Sequence, residues 1–342
     1  MKIDILAVHG SPLGVTLKTL YGEDGHMGVG GAELALLTLC EAWAKEGHDV
    51  TLYNNPYQPI DVPFKQRQLN FFNPQEDRDV IIAFRAPNRY MQSCKGLRVW
   101  WSTDQCTIGD YREFATQVDR IVCISLNHQN YFKKTYGIEN SILIDLPVRL
   151  NDYVQSLEKI PNRLIFTSVP ARGLDILANY WMDIKHEVPD ASLVITSDYR
   201  LWGCFDAGNE QFRVKWIGKP DVNFIGAIPR RQLCMEQLQA EVLAYPCNYD
   251  ELFCYTVAEA CVAGTYPITS AIGAIPTTSF GTSLDGDPTS SVWKSAFISA
   301  IVDFLMDKEK EYKGAMIKKL AWDRYSPKVI VQKWQDRIFN HG

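Results

Sequence analysis

The chain has 342 residues, 46% of them hydrophobic and 22% charged, with a formal net charge of -5. That length exceeds a comfortable single α/β core and calls for two domains, and the composition excludes a disordered chain. The acidic balance removes any general attraction for phosphate backbones or anionic lipid, which would need a clustered excess of Lys and Arg.

Strand and helix signals alternate from the first residues. Residues 3–9 read as a strand and 32–46 as a helix, in which Leu36, Leu39, Cys40 and Trp43 form one buried stripe and Gly47 supplies the stop. Asp49–Tyr53, Val80–Phe84, Leu97–Trp101 and 120–125 follow as strands, a rhythm that predicts a parallel, doubly wound sheet. The stretch 54–75, rich in proline and aromatics (Tyr57, Phe64, Phe71, Phe72), reads as a long irregular insertion of the kind that often carries function. Arg85, Arg89, Lys95 and Arg98 lie in a run without acids from 80 to 103 and read as a solvated rim.

A weakly patterned segment, 145–162, contains Pro147, Asn151, Asp152 and Pro161 and marks a domain boundary. The alternation then restarts with strands at 163–168, 192–197, 222–225, 241–245 and Tyr266–Ser270. One intervening helix carries Leu177, Tyr180, Trp181 and Ile184 on one face, and another ends at Gly264. A second doubly wound unit is expected, and two such units should bind a ligand in a cleft at the carboxyl ends of their strands. The helices at 296–306 and 328–339 have no strand after them and are expected to pack across the domain junction.

The nine cysteines include no Cys-x-x-Cys pair and have no histidine cluster beside them, so no metal site is expected and a reduced, cytosolic protein is. Cys254, Val257 and Cys261 share one helical face and read as core. No segment approaches the ~20 apolar residues of a membrane span, and no charged leader is followed by an apolar run.

The most informative stretch, 245–273, reads YPCNYDELFCYTVAEACVAGTYPITSAIG. Glu251 and Glu259 are eight positions apart, about 12 Å if both lay on one helix axis. A helix start between them would offer unpaired N–H groups and the positive end of a dipole to a diphosphate. The bland alternative leaves Glu251 as a dipole complement and Glu259 on a wet face. Gly30-Gly31-Ala32-Glu33 opens the first helix after a loop from Gly10, and its glycines let backbone approach a phosphate or sugar closely. A full Gly-x-Gly-x-x-Gly is missing, which disfavours a dinucleotide.

These blocks resemble the retaining glycosyltransferases of family 4, with the GT-B fold. The two glutamates are similar to that family's Glu-x7-Glu pair, Gly30 to Glu33 to its Gly-Gly-Ala-Glu element, and Ser168-Val-Pro-Ala-Arg172-Gly173 to its strand followed by Lys-Gly or Arg-Gly. The resemblance implies two Rossmann-like domains facing a central cleft. The expected division is 1–155 on the acceptor side, 156–325 binding the nucleotide sugar, and 326–342 as a helix across the junction. It also implies roles. Glu251 would bind the donor sugar and Glu259 the ribose. Backbone of Leu252, Phe253, Cys254, Tyr255 and Thr256 would lie near the diphosphate, and Ile228 near the base. Arg172 would neutralise the departing nucleotide. Many members have glycine where this chain has Leu252 and Cys254, and often a histidine where it has Thr103. Asp104, Glu33, Thr103 and His128 are acceptor-side candidates, with Asp104 either facing the reacting centre or capping a turn.

The implied activity is metal-independent, retaining transfer from a UDP-, GDP- or ADP-sugar to a glycan, lipid-linked or other hydroxyl acceptor, with no cofactor. A nucleic-acid acceptor stays open, as does a peripheral place at a membrane for a cytoplasmic enzyme. The rival readings are a non-catalytic binding protein for sugar nucleotides or glycans, and a sugar-nucleotide epimerase.

Overall fold

The computed structural model describes residues 1–8, 14–25, 28–202 and 209–341. The chain forms two compact units, one of Met1–Lys18, Gly31–Pro147 and Tyr325–Gly342, the other of Thr19–Gly30 and Val148–Arg324.

The first unit is built on β1 (Lys2–Leu6), which precedes the short α1 (Leu17–Leu20) and then α2 (Gly31–Lys45). Strands β2 (Asp49–Tyr53), β3 (Lys65–Arg67), β4 (Val80–Phe84) and β5 (Leu97–Trp101) follow. Helix α3 (Tyr111–Ala115), β6 (Arg120–Cys123), α4 (Leu126–Tyr136) and β7 (Ser141–Leu143) complete the sheet. Its seven strands run parallel in the order β3-β2-β1-β4-β5-β6-β7. All five residues of β4, Val-Ile-Ile-Ala-Phe, are buried, as a central parallel strand covered on both faces requires. The expected stripe on α2 is fully inside, with Leu36, Leu39, Cys40 and Trp43 no more than 1% exposed.

Two details differ from the expectation. β1 ends at Leu6, and His9 and Gly10 lie outside the described residues. The insertion at 54–75 contains a sheet strand, β3, whose polar Lys-Gln-Arg sequence hides it. Its pairing stands on a buried amide: Gln66 Nε2 donates to the Val15 carbonyl at 3.0 Å and to Asn54 Oδ1 at 3.1 Å. A polar core of this kind leaves no apolar alternation to read.

The second unit alternates β8 (Arg163–Phe166), α5 (Leu174–Glu187), β9 (Ser192–Ile195), α6 (Glu210–Arg213), β10 (Val222–Phe224), α7 (Arg230–Gln239) and β11 (Val242–Tyr245). After these come α8 (Tyr255–Ala263), β12 (Tyr266–Ser270), α9 (Ile275–Thr278), β13 (Thr282–Leu284) and α10 (Ser291–Met306). The six strands are again parallel, in the order β10-β9-β8-β11-β12-β13. α10 begins earlier than its apolar run suggests, because Ser290 caps it by accepting from the Trp293 amide at 3.3 Å. The unforeseen α11 (Lys310–Tyr325) buries Ile317, Ala321 and Tyr325 but exposes Tyr312, Met316 and Leu320, so its sequence has apolar residues on two faces. The final α12 (Pro327–Arg337) contributes Trp334 to the first unit, edge-on to Trp43 at 5.2 Å and to Trp101 at 5.5 Å.

In each sheet the strand order reverses once, between β1 and β4 in the first and between β8 and β11 in the second. Loops leaving the carboxyl ends of those strands diverge to opposite sides and open a crevice, the usual ligand position in such sheets.

Candidate functional site

At the crevice of the second sheet, the loop after β8 brings Arg172 and the loop after β11 brings Glu251. Arg172 Nη1 donates to Glu251 Oε1 at 2.7 Å, and the Tyr245 hydroxyl donates to the same oxygen at 3.0 Å. The guanidinium lies over the Tyr249 ring, 4.3 Å from its centroid. Two glycines permit this arrangement. Gly173 has φ +102°, and a Cβ there would stand 2.1 Å from the Pro246 carbonyl oxygen. Gly273 has φ +58°, and a Cβ there would stand 2.4 Å from the Glu251 carbonyl oxygen. That same carbonyl accepts from the Ala274 amide at 2.7 Å, which pins the Glu251 loop.

Burial pushes the Glu251 carboxyl above the usual carboxylate range, against the pull of the Arg172 guanidinium and the Tyr245 hydroxyl. Burial works most strongly against the Arg172 charge, but the Glu251 carboxylate together with Tyr245, Cys254 and Tyr249 outweighs it and raises the guanidinium further. The pair is therefore tightly coupled and largely removed from water.

Glu251 is in the loop, not on a helix: α8 starts only at Tyr255, so the 12 Å spacing along one axis does not apply. Leu252, Phe253 and Cys254 form the buried approach to that helix. Cys254 stands just before it at φ 65°, ψ 74°, in the left-handed region that glycine adopts without strain. The backbone thus keeps the turn for which the resembled motif often supplies glycine. No side chain caps the start of α8, where the Val257 amide donates to the Cys254 carbonyl at 3.1 Å. Thr256, in that turn, donates to the Thr167 carbonyl at 3.2 Å.

Glu259 lies one turn further along α8 and is 6% exposed, which removes the wet-face alternative. Its carboxylate accepts from Arg230 Nη1 at 2.7 Å, and Arg230 Nε is bonded in turn to Asp152. Ile228 is buried at the turn after β10, next to Gly226 at φ +79°. That turn is fixed by Asp198, whose carboxylate accepts from the Ala227 amide at 3.1 Å, from Asn209 Nδ2 at 2.7 Å and from Arg200 Nε at 2.8 Å. Burial would raise the Asp198 carboxyl, yet these donors hold it down to about 2.

The first unit has a parallel arrangement at its own crevice. Gly31 is half-buried at the start of α2, and Glu33 in its first turn accepts from Arg85 Nη2 at 2.5 Å, while Gly30, also half-buried, closes the 19–30 segment of the second unit. Arg85 follows β4 at φ +69°, a left-handed position rare for a branched-chain-free but bulky side chain, and its Nη1 lies 3.4 Å from Asp104 Oδ2. The solvated-rim reading fails for Arg85, whose side chain is 14% exposed between two acids. It holds better for Lys95 and Arg98, paired at the surface with Asp77 and Asp119. Asp104 also accepts from Thr107 Oγ1 at 2.6 Å, while Thr103 is buried with no partner for its hydroxyl. His128 is fully buried in the first turn of α4, edge-on to Phe132 at 4.4 Å, and burial pushes its pKa down to about 3.

Arg230, Tyr245 and Asp198 are not singled out by the sequence as site residues, and Arg85 only as part of a solvated rim. Arg85, Arg230 and Tyr245 stand at the end of a strand or the start of a helix and only the topology brings each to an acid, whereas Asp198 is the acid about which Arg200, Asn209 and the Ala227 amide gather. Among the described residues no group of three or more His, Cys, Asp and Glu could hold a metal ion, and no helix is long and apolar enough to cross a membrane.

No protein-family model and no curated protein matches the chain. Solved structures do. A sucrose-phosphate synthase from Thermosynechococcus elongatus superposes with a TM-score of 0.72 at 16% identity, over 100% of both chains. HepE of Anabaena, in complex with UDP-glucose, gives 0.70 at 14% identity over 99% of this chain and 100% of its own. WaaG, a glycosyltransferase involved in lipopolysaccharide biosynthesis, gives 0.67 at 14% identity over 99% and 100%. The chain has the fold of these proteins, the GT-B architecture of two doubly wound, Rossmann-like α/β units.

Proposed function

We propose that the protein is a glycosyltransferase that moves a sugar from a nucleoside-diphosphate sugar to a hydroxyl acceptor, with retention and without a metal ion. The observation that carries this reading is the convergence of Arg172, Glu251, Glu259 and the uncapped start of α8 at the crevice of the second sheet. A guanidinium and a helix N-terminus suit a diphosphate, and two buried carboxylates suit the hydroxyls of a sugar and a ribose. That HepE was solved with UDP-glucose makes UDP-glucose the first donor to test, with GDP- and ADP-sugars next.

In this reading Glu251 and Glu259 exchange internal partners for substrate hydroxyls. Glu251 holds the donor sugar, Glu259 the ribose, and main-chain groups from Leu252 to Thr256 the diphosphate, while Ile228 lies beside the base. The bond from the anomeric carbon to the diphosphate oxygen breaks as the acceptor oxygen bonds to that carbon on the same face. The acceptor proton passes to the departing phosphate. Arg172 and the α8 dipole take up the negative charge that develops there, so catalysis is positioning and electrostatic stabilisation. Gly30, Gly31, Glu33, Thr103, Asp104 and His128 belong to the acceptor side of the proposed 1–155 domain, and 156–325 is the donor domain. A cytoplasmic place goes with this assignment, and the acceptor is a glycan, lipid-linked or other hydroxyl compound. Incubation with UDP-, GDP- and ADP-glucose tests it: release of one nucleoside diphosphate, with the sugar on an acceptor or on water, is expected. Interconversion of the donor sugar without release would make the protein an epimerase, and binding without turnover a non-catalytic protein.

A further inference from the structure

Beside Glu259 stands a residue that the donor-site roles above leave unused. Arg230 opens α7 and is 5% exposed, as deeply buried as the carboxylate it faces. Its three nitrogens are employed unequally. Nη1 donates to Glu259 Oε1 at 2.7 Å, Nε is bonded to Asp152, and Nη2 is buried with no hydrogen-bond partner. A buried guanidinium N–H without an acceptor forgoes its hydration and gains nothing, so such an atom calls for an explanation.

The guanidinium is also held in place from behind. Asp152, which binds Nε, accepts from the Tyr21 hydroxyl at 2.9 Å, and Arg149 Nε donates to that same hydroxyl at 2.9 Å. The Arg230 guanidinium further lies 5.7 Å from the Tyr153 ring centroid. Anchored at Nε and Nη1, the planar fork cannot swing to find an acceptor for Nη2 without giving up one of those bonds.

We propose that Arg230 and Glu259 together read a vicinal diol, the ribose of the bound nucleoside diphosphate, with Glu259 accepting one hydroxyl proton and Arg230 Nη2 donating to a hydroxyl oxygen. A carboxylate alone can only accept, and a base carbonyl would satisfy Nη2 but bring no donor to the carboxylate beyond the Arg230 Nη1 it already has. A diol supplies both a proton and a lone pair. Arg230 is thus a specificity-determining residue, and Asp152 is its positioning residue. This inference rests on the assignment of Glu259 to the ribose.

The test compares dissociation constants of UDP and GDP with those of their 2′-deoxy forms, for the full chain and for Arg230→Lys and Asp152→Asn. Lysine keeps the charge near Glu259 but not the planar fork. Asparagine keeps the volume at Asp152 but loosens its hold on Nε. The wild type should prefer the ribose form by roughly tenfold or more, the effect of leaving buried polar groups unpaired. Arg230→Lys should bring the ratio close to one, and Asp152→Asn should lower it part of the way. A wild-type ratio retained in both variants overturns the role of Arg230 while leaving Glu259 at the ribose. A wild type with no preference overturns the ribose assignment of Glu259 itself and this inference with it. If Arg230→Lys does not fold, Asp152→Asn decides: an undiminished ratio refutes the proposal.

Discussion

Replacing Arg172 by methionine removes the guanidinium from Glu251 while keeping most of the side-chain volume over Tyr249. The carboxylate is 6% exposed and would lose the guanidinium while keeping the bond from the Tyr245 hydroxyl at 3.0 Å. Breaking a buried ion pair costs about 3–5 kcal/mol. Here the loss is smaller, because the Arg172 side chain is 23% exposed and Glu251 can take up a proton instead. A deficit of about 2–3 kcal/mol follows, or roughly 5–10 °C in melting temperature for a unit of this size. The sign of its pH dependence is fixed by Glu251. Its folded pKa already lies above the ordinary value, so acidification through that window favours the folded state by neutralising a buried charge. Without Arg172 the folded value rises further, so the deficit should be full at neutral pH and shrink as pH falls. Scanning calorimetry from neutral to mildly acid pH measures it, and Glu251→Gln added to Arg172→Met should recover about half of the loss or more. A variant that melts like the wild type at neutral pH, or a deficit that grows on acidification, would refute the buried-pair account.

Glu259→Ala should weaken nucleoside-diphosphate binding by about 1–3 kcal/mol, read by calorimetric titration, whereas Glu251→Ala should lower turnover of the sugar conjugate and leave the free diphosphate nearly unaffected. Equal effects on both ligands would contradict the division of roles. Gly273→Ala drives a Cβ to 2.4 Å from the Glu251 carbonyl and should cost transfer activity even where the protein stays folded; an unaffected rate would show that the loop does not hold Glu251 for catalysis. Transfer should persist in EDTA, and loss restored by magnesium or manganese would refute metal independence. Trp334→Ala empties a site between Trp43 and Trp101 in the first unit and should destabilise it by about 3–5 kcal/mol in denaturant titration.

The parallel sheets were legible because their strands are short apolar runs with glycine and helix stripes between them: Val80–Phe84 and Leu97–Trp101 fall where the pattern puts them. β3 was hidden because its stability comes from the Gln66 amide, and α11 because Tyr312, Met316 and Leu320 face solvent. In the candidate site, the sequence pointed to Glu251, Glu259 and Arg172 through their spacing and neighbours. It was silent on what each acid is bonded to. Arg85 to Glu33 and Arg230 to Glu259 are separated by 52 and 29 positions, and nothing local marks either partner. The left-handed backbone at Cys254 was equally hidden, since its residue type argues against that conformation.

Central to the account is a donor bound through its diphosphate, sugar and ribose at the crevice between β8 and β11. It is tested most directly by mixing the full chain with UDP-, GDP- and ADP-glucose and following both melting temperature and release of the nucleoside diphosphate. One donor should raise the melting temperature and release its diphosphate, and Glu251→Gln, like Glu251→Ala, should lower release while leaving the stabilisation by free diphosphate intact. Absence of both stabilisation and release with every donor, or release undiminished in Glu251→Gln, would contradict it.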